Sequence, residues 1–177
     1  MKAVAFLRAV NVGGTGKIAM ADLKALAADI GLGDPKTLLQ SGNLVFEAGA
    51  KSPSVLETLL AREVETRLGL KTEFMVRTGA MLKQIIAGNP FPAEAKNDPA
   101  RLHVFFLKAD ATAAAMAALN AAIRGRETAK GHGREIYISF PDGMGESKLT
   151  TGIIQKHLGT RATARNWNTV TKLAEMT

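Results

Sequence analysis

The residues with the clearest potential for chemistry form a glycine-rich segment, residues 11–17 (NVGGTGK), between a predicted strand and a predicted helix. A Walker-type phosphate loop needs a glycine where Asn11 stands and a serine or threonine where Ile18 stands, which excludes that motif. A dinucleotide-binding fingerprint is also excluded, because its third glycine is missing. What remains is a strand-to-helix turn whose backbone N–H groups, together with Lys17, could bind an anion. A tight turn that needs positive φ explains the glycines equally well.

A second polar segment, Ser41-Gly42-Asn43, interrupts an otherwise apolar stretch. Serine and asparagine commonly build turns by bonding to nearby backbone, and that is one interpretation of this segment. If the turn instead faces the glycine-rich segment, the Ser41 hydroxyl and the Asn43 amide would line the same pocket.

The C-terminal part of the chain is rich in cations, with five of them and no acid between residues 147 and 174. Such a stretch favours an anionic partner electrostatically, although an exposed helix face is the simpler explanation. Lys148 and Arg165 are predicted at the starts of helices. A cation is unfavourable there unless an anion lies nearby, because the helix dipole is positive at that end.

Several classes of chemistry are excluded. The chain contains no cysteine, which rules out disulfides, thiolate catalysis and cysteine-based metal sites. Its three histidines, His103, His132 and His157, lack the spacing of a metal site. No nucleophile motif of the serine hydrolases is present. We therefore expect neither a metal nor a cofactor.

The 177 residues carry a net charge of +7 and a pI near 9.9. Both halves of the chain are net positive, so the charge does not come from a basic tail. The first apolar run is too short for a secretory signal or a membrane span, which predicts a cytoplasmic protein without membrane association. The oligomeric state stays open.

The predicted elements begin with a strand at residues 3–10 and a helix at residues 20–30. Apolar stretches at 37–40 and 44–47 predict either a hairpin or one bent strand. Ser54 and Glu57 form a capping-box pattern at the start of the second helix.

In the second half, a hairpin is predicted through residues 131–133, and two helices are predicted to close the chain. Thr163 or Asn166 is expected to cap the last helix, and Trp167 is expected to lie in the core.

The two halves of the sequence resemble each other. Residues 4–9 (VAFLRA) and 104–109 (VFFLKA) share four identical residues and a cation, and both open an order of strand, helix, hairpin and helix. This order predicts an α+β protein with two tandem ferredoxin-like subdomains, each an antiparallel sheet with helices on one face. The predicted domains are residues 1–88 and 101–177, with a proline-rich linker at 89–100.

Taken together, the motifs resemble the domain-of-unknown-function 1697 family of bacterial proteins. The resemblance rests on residues 7–14 (LRAVNVGG), 17–20 (KIAM), 40–46 (QSGNLVF), 89–91 (NPF), 147–149 (SKL) and 163–170 (TARNWNTV). The family usually has glycine where Ala9 stands and proline where Ala19 stands. The resemblance implies two ferredoxin-like α+β subdomains in one chain, and it implies no established activity, substrate or catalytic residue.

These observations predict a binding protein for an anionic ligand, either a nucleotide or a nucleic-acid phosphate. The predicted ligand-binding residues are Arg8, Asn11, Gly13, Gly14, Lys17, Ser41, Asn43, Lys148 and Arg165. One alternative is an enzyme acting on a phosphorylated metabolite, with Asp142, Glu146 or His132 as acid or base. A structural or interaction module is the other alternative, so whether the chain is an enzyme stays open.

Overall fold

The computed structural model of the chain describes residues 1–8 and 16–177, which divide into two units. The first unit comprises residues Met1–Gln84 and Leu173–Thr177, and the second comprises Ile85–Lys172. Seven α-helices and two antiparallel sheets are found in the described residues, which confirms the predicted α+β class.

The first unit contains a four-stranded antiparallel sheet and two packed helices. Its elements are β1 (Lys2–Leu7), α1 (Met20–Asp29), β2 (Gly33–Leu38), β3 (Asn43–Glu47), α2 (Pro53–Leu68) and β4 (Phe74–Thr78). The strands lie in the order β2-β3-β1-β4. This βαββαβ connection is ferredoxin-like, as predicted. The segment around Gly42 is therefore a hairpin turn between β2 and β3 rather than a bend in one strand.

The core of the first unit forms because one face of the sheet is apolar. Alternate residues of β1 point to this face, since side chains alternate along a strand. They share one cluster with residues of α1 and α2; its members from these three elements are Ala3, Ala5, Leu7, Met20, Leu23, Leu26, Ala27, Leu56, Leu60 and Val64.

Helix α2 begins two residues earlier than its capping pattern predicts. Ser52 is the N-cap, and its hydroxyl accepts the Val55 N–H at 3.4 Å. Proline then occupies the first helical position, where its missing N–H costs nothing. The predicted capping box of Ser54 and Glu57 is wrong, because the Glu57 carboxylate is buried and accepts the Val76 N–H of β4 at 2.9 Å.

The second unit contains a three-stranded antiparallel sheet in the order β6-β5-β7. Its elements are α4 (Pro92–Asn97), β5 (Leu102–Ala111), α5 (Ala113–Ala122), β6 (Thr128–Ser139), α6 (Thr151–Leu158) and β7 (Ala162–Asn166). Helix α3 (Gly79–Ala87) and helix α7 (Trp167–Met176) each contain a point at which the chain passes between the two units. Helix α4 lies within the segment for which the sequence predicts a linker.

The hairpin predicted through residues 131–133 is wrong. This segment lies inside β6, which pairs with β5 as far as Ala111↔Gly133 after a register shift. The second unit therefore follows the order of the first with one strand fewer in its sheet. Glycines at 131 and 133 suggested a turn, but both have positive φ within a continuous strand.

Strand β7 was not predicted. The sequence indicates two adjacent helices there, whereas β7 separates them and pairs with β5. Thr163 lies inside this strand, and Asn166 caps α7 by accepting the Thr169 N–H at 3.0 Å. Trp167 is buried, as predicted. Among the described residues, no helix is long and apolar enough to span a membrane.

Candidate functional site

The second unit has a cavity of about 420 Å³ beside the start of α6. The connections α5–β6 and β6–α6 supply most of its wall. The residues that line it are Ala122, Arg124, Gly125, Glu127, Asp142, Glu146, Ser147, Lys148, Leu149 and Ile153. Six of these ten side chains are charged or hydroxylated, so the cavity suits a polar ligand.

Two cations that line this cavity have no partner of opposite charge among the described residues. Lys148 lies two residues before Thr150, the N-cap of α6, and its side chain is exposed. Arg124 follows α5, and its guanidinium donates to the Ala121 carbonyl at 2.8 Å. Neither cation forms an ion pair with another residue in ranges 1–8 and 16–177. Lys148 was predicted at the start of a helix, and it lies two residues before the N-cap of α6.

The start of α6 adds a favourable field for anions. The Thr150 hydroxyl accepts the Ile153 N–H at 3.3 Å, which satisfies one of the free N–H groups of the first turn. The helix dipole places partial positive charge at this end. Because Leu149 and Ile153 both line the cavity, this positive end lies beside it.

One acid of the cavity wall, Asp142, has its negative charge balanced by an arginine. Asp142 accepts two hydrogen bonds from Arg126, at 3.1 Å to Oδ2 and 2.5 Å to Oδ1. The Arg126 guanidinium lowers the pKa of this carboxyl, so the aspartate stays ionised and paired. Glu146 is exposed at the cavity wall.

A second acid, Glu127, is held by a hydrogen bond across the cavity wall. Its Oε1 accepts the Ser147 hydroxyl at 2.5 Å, and the same hydroxyl oxygen accepts the Leu149 N–H at 3.0 Å. The other carboxylate oxygen, Oε2, is buried and has no hydrogen-bonding partner in the part of the chain that the structure describes. Sequence reasoning missed Glu127, since nothing in its neighbourhood marks it as a site residue.

Arg165 does not start a helix, contrary to expectation. It lies in β7, is 7% exposed, and donates to the Thr163 hydroxyl and the Ala164 carbonyl, both at 2.8 Å. Burial lowers the pKa of its guanidinium to about 10. It is not among the residues that line the 420 Å³ cavity.

Arg77 on β4 is the counterpart of Arg165 in the first unit, and the sequence analysis overlooked it. Arg77 pairs across the sheet with Val4, as Arg165 pairs with Val104. Each guanidinium donates to the carbonyl of the preceding residue. Val4 and Val104 are matched in the internal repeat, but the strand register that places an arginine beside each of them is visible only in the structure.

The polar residues predicted near the glycine-rich segment lie in the first unit. The Arg8 backbone N–H donates to the Glu73 carbonyl at 2.9 Å, and its guanidinium lies 3.9 Å from the Glu73 carboxylate. Lys17 is exposed. The predicted residues Asn11, Gly13 and Gly14 lie outside the described residues.

The Asn43 side chain closes the turn between β2 and β3. Its amide nitrogen donates to the Leu38 carbonyl at 2.7 Å and to the Ser41 hydroxyl at 3.1 Å, and the residue is fully buried. Gly42 has φ 81°, a conformation that favours glycine. The local bonds match the turn interpretation of this segment.

The predicted ligand-binding residues thus belong to two units. Arg8, Lys17, Ser41 and Asn43 are in the first, whereas Lys148 and Arg165 are in the second. Asp142 and Glu146, the predicted acid or base candidates, line the same cavity as Lys148. His132 lies in β6 and does not line it.

Comparison with known proteins identifies relatives of uncharacterised function. No curated protein matches the chain. Four chains of solved structures match. One is a conserved bacterial protein from Streptococcus pneumoniae, with a TM-score of 0.74 and 19% identity over 99% of this chain and 97% of that chain. At this identity the likeness shows the fold alone. Residues 1–137 match the family described as "Protein of unknown function (DUF1697)". The chain therefore belongs to the DUF1697 family.

Proposed function

We propose that the chain is a binding protein for a small anionic ligand and that the cavity of the second unit holds this ligand. The observation that carries the proposal is that Lys148 and Arg124, two cations without an ion-pair partner among the described residues, line one cavity of about 420 Å³. Unpaired cations beside a helix N-terminus form a favourable environment for an anion.

The size of the cavity favours a small molecule. Ligand pockets commonly have volumes of about 300–1,000 Å³. A cavity of about 420 Å³ accommodates a mononucleotide or a sugar phosphate, whereas a nucleic-acid strand would need an extended groove. Of the two predicted ligand classes, the nucleotide is therefore the one that this cavity supports.

An enzyme acting on a phosphorylated metabolite is the second candidate, because Glu127, Asp142 and Glu146 line the same cavity. A general acid or base works best with a pKa near the operating pH. The pKa of the Asp142 carboxyl is instead lowered by Arg126, so this residue is poorly suited to exchange protons near neutrality. This difference favours binding over catalysis.

The polar residues of the first unit remain part of the proposal. Arg8 and Lys17 flank the glycine-rich segment in the sequence, and Ser41 lies in the β2–β3 turn. We propose that these residues form a separate anion-contacting group in the first unit. If so, replacing Arg8 and Lys17 together by alanine will leave the melting temperature unchanged and weaken anion binding.

The test is calorimetric titration of the purified protein with AMP and ribose 5-phosphate at low and physiological salt. A charge-assisted hydrogen bond contributes about 1.5–3 kcal/mol. Lys148→Ala and Arg124→Ala should therefore each weaken binding by about 10-fold to 100-fold. Lys156→Ala is the matched control, because this exposed lysine of α6 does not line the cavity and its loss changes the net charge equally.

The outcomes separate the candidates. Salt-sensitive binding that is lost in the Lys148 and Arg124 variants and kept in the Lys156 variant supports the proposal. Consumption of the titrated compound during the experiment would favour the enzyme. No binding of either compound would contradict the proposal and favour an interaction module.

A further inference from the structure

We infer that Glu127 makes the cavity selective for anions that also carry hydroxyl groups, so that the ligand class is a phosphorylated polyol rather than a simple phosphate. This inference rests on the proposed function and adds a second point of recognition to it. Lys148 and Arg124 would contact the anionic end of the ligand, and Glu127 would accept a hydrogen bond from a hydroxyl at the other end.

The Glu127 carboxylate is held in place before any ligand arrives. The Ser147 hydroxyl donates to Oε1 at 2.5 Å, and Ser147 is itself fixed by the Leu149 N–H. These bonds tie the α5–β6 connection to the segment that carries Lys148. A group whose rotamer is already fixed loses little conformational entropy when it binds a ligand.

The second carboxylate oxygen of Glu127 provides the acceptor. Oε2 is buried and has no hydrogen-bonding partner in the described part of the chain. A buried acceptor without a partner destabilises the folded state, and it does so more strongly when it is charged. A ligand hydroxyl in the adjoining cavity that displaces the atoms covering Oε2 would remove this cost, whereas a phosphate oxygen would be repelled by the carboxylate.

Gly125 leaves the space that this carboxylate occupies. A Cβ at residue 125 would lie 2.5 Å from Glu127 Oε2, which is closer than real Cβ atoms approach, and 3.0 Å from Oε1, which is a tight contact. Because the carboxylate is the end of a flexible side chain, Gly125→Ala should displace it rather than unfold the unit. This variant therefore moves the acceptor without changing any charge.

The experiment compares two ligands that share an anionic group and differ in hydroxyls. Ribose 5-phosphate and n-butyl phosphate are titrated into the wild type, Glu127→Gln, Gly125→Ala and Lys148→Ala, with melting temperatures recorded to establish folding. We expect the wild type to bind ribose 5-phosphate at least 10-fold more tightly. Glu127→Gln and Gly125→Ala should reduce this preference to about threefold or less, because a charged hydrogen bond is removed or displaced.

Lys148→Ala should weaken binding of both compounds and leave the preference intact, because it removes the shared phosphate contact. If the wild type binds both compounds equally, or if folded Glu127→Gln and Gly125→Ala keep the preference, the inference about Glu127 fails while anion binding stands. If neither compound binds the wild type, the proposed function fails and the inference fails with it.

Discussion

The second unit repeats the element order of the first with one strand fewer, and the two units also differ in the connections between their strands and helices. In the first unit, residues 30–32 join α1 to β2 and residues 48–52 join β3 to α2. In the second, the corresponding connections are residues 123–127 and 140–150. These longer connections supply most of the wall of the cavity. Function in this molecule is therefore expected where the repeat diverged, since connections tolerate change that a packed sheet does not.

The buried arginines show the opposite behaviour, because they occupy the same position in both sheets. Arg77 is fully buried with the Glu57 carboxylate 3.9 Å from its guanidinium. Arg165 is almost as buried and donates to the Thr163 hydroxyl. A buried cation must be compensated locally, and the compensating neighbours include Glu57 for Arg77 and Thr163 for Arg165.

The largest effect is expected at Arg77. Replacing it by alanine leaves the buried Glu57 carboxylate without this cation, and breaking a buried ion pair costs about 3–5 kcal/mol. Arg165→Ala should also destabilise the protein, by at least about 1–3 kcal/mol, because its hydrogen bonds to the Thr163 hydroxyl and the Ala164 carbonyl are lost. Urea unfolding measures both.

Arg62→Ala is the control for these arginine variants, because its side chain is 67% exposed and its contact with Glu63 is a surface ion pair. Its loss should change the free energy of unfolding by less than about 1 kcal/mol. If Arg77→Ala costs no more than Arg62→Ala, the buried contact between Arg77 and Glu57 does not stabilise the fold.

The second effect concerns the β2–β3 hairpin, which the second unit lacks. Asn43→Ala removes the hydrogen bonds that the Leu38 carbonyl and the Ser41 hydroxyl accept from the Asn43 amide. The free energy of unfolding should therefore fall by about 1–3 kcal/mol. Thermal and urea unfolding measure this loss. An unchanged stability would show that the turn does not depend on Asn43 and would favour a ligand-binding role.

The third effect tests the helix cap that the sequence misplaced. Ser52→Ala should destabilise the protein by about 1 kcal/mol, since Ser52 caps α2. Ser54→Ala is the matched control and should change stability by less than about 0.5 kcal/mol. If the Ser54 variant loses more stability than the Ser52 variant, Ser54 rather than Ser52 caps α2 and the capping-box prediction is correct.

The smallest effect is a pH dependence confined to the second unit, which contains all three histidines. Burial lowers the pKa of His103 below its usual value of 6.5, against a smaller opposing effect of the Arg101 backbone. The unfolded chain therefore binds more protons than the folded chain between the two pKa values. The contribution of His103 to the free energy of unfolding should be constant above about pH 6.5. It should decrease as the pH falls below that value.

Urea unfolding of the wild type and of His103→Phe between pH 5 and pH 8 measures this slope, which the variant should reduce. His132→Gln is the control, because His132 is exposed on β6. If the His103 variant keeps the full slope between pH 5 and 6.5, the decrease arises from other groups.

The sequence and the structure agree where patterns are local. Periodic apolar residues predicted most helices, and the repeat at residues 4–9 and 104–109 predicted the α+β plan with ferredoxin-like order. Strand β7 was missed because two of its buried residues, Thr163 and Arg165, are polar. Strand prediction depends on the alternation of apolar and polar residues. A strand that buries polar side chains does not show this alternation.

The candidate site was predictable only in part. Lys148 was named from its charge and its place before a helix, and Asp142 and Glu146 were named as polar candidates near it. Glu127 and Arg124 were not named. Both lie in the α5–β6 connection, and only the folded course of that connection brings them to the cavity. A propensity or a charge pattern in one segment carries no information about which distant segment faces it.

By itself, the sequence determined the class of fold, the duplication, the basic charge and the absence of cysteine chemistry, because composition and local periodicity are properties of the chain. The tertiary structure decided which charges share a cavity, which arginines are buried, and that Glu57 bonds to β4 instead of capping its own helix. These outcomes depend on the pairing register of strands and on packing between distant segments. A one-residue change in register would reverse the faces of a whole strand.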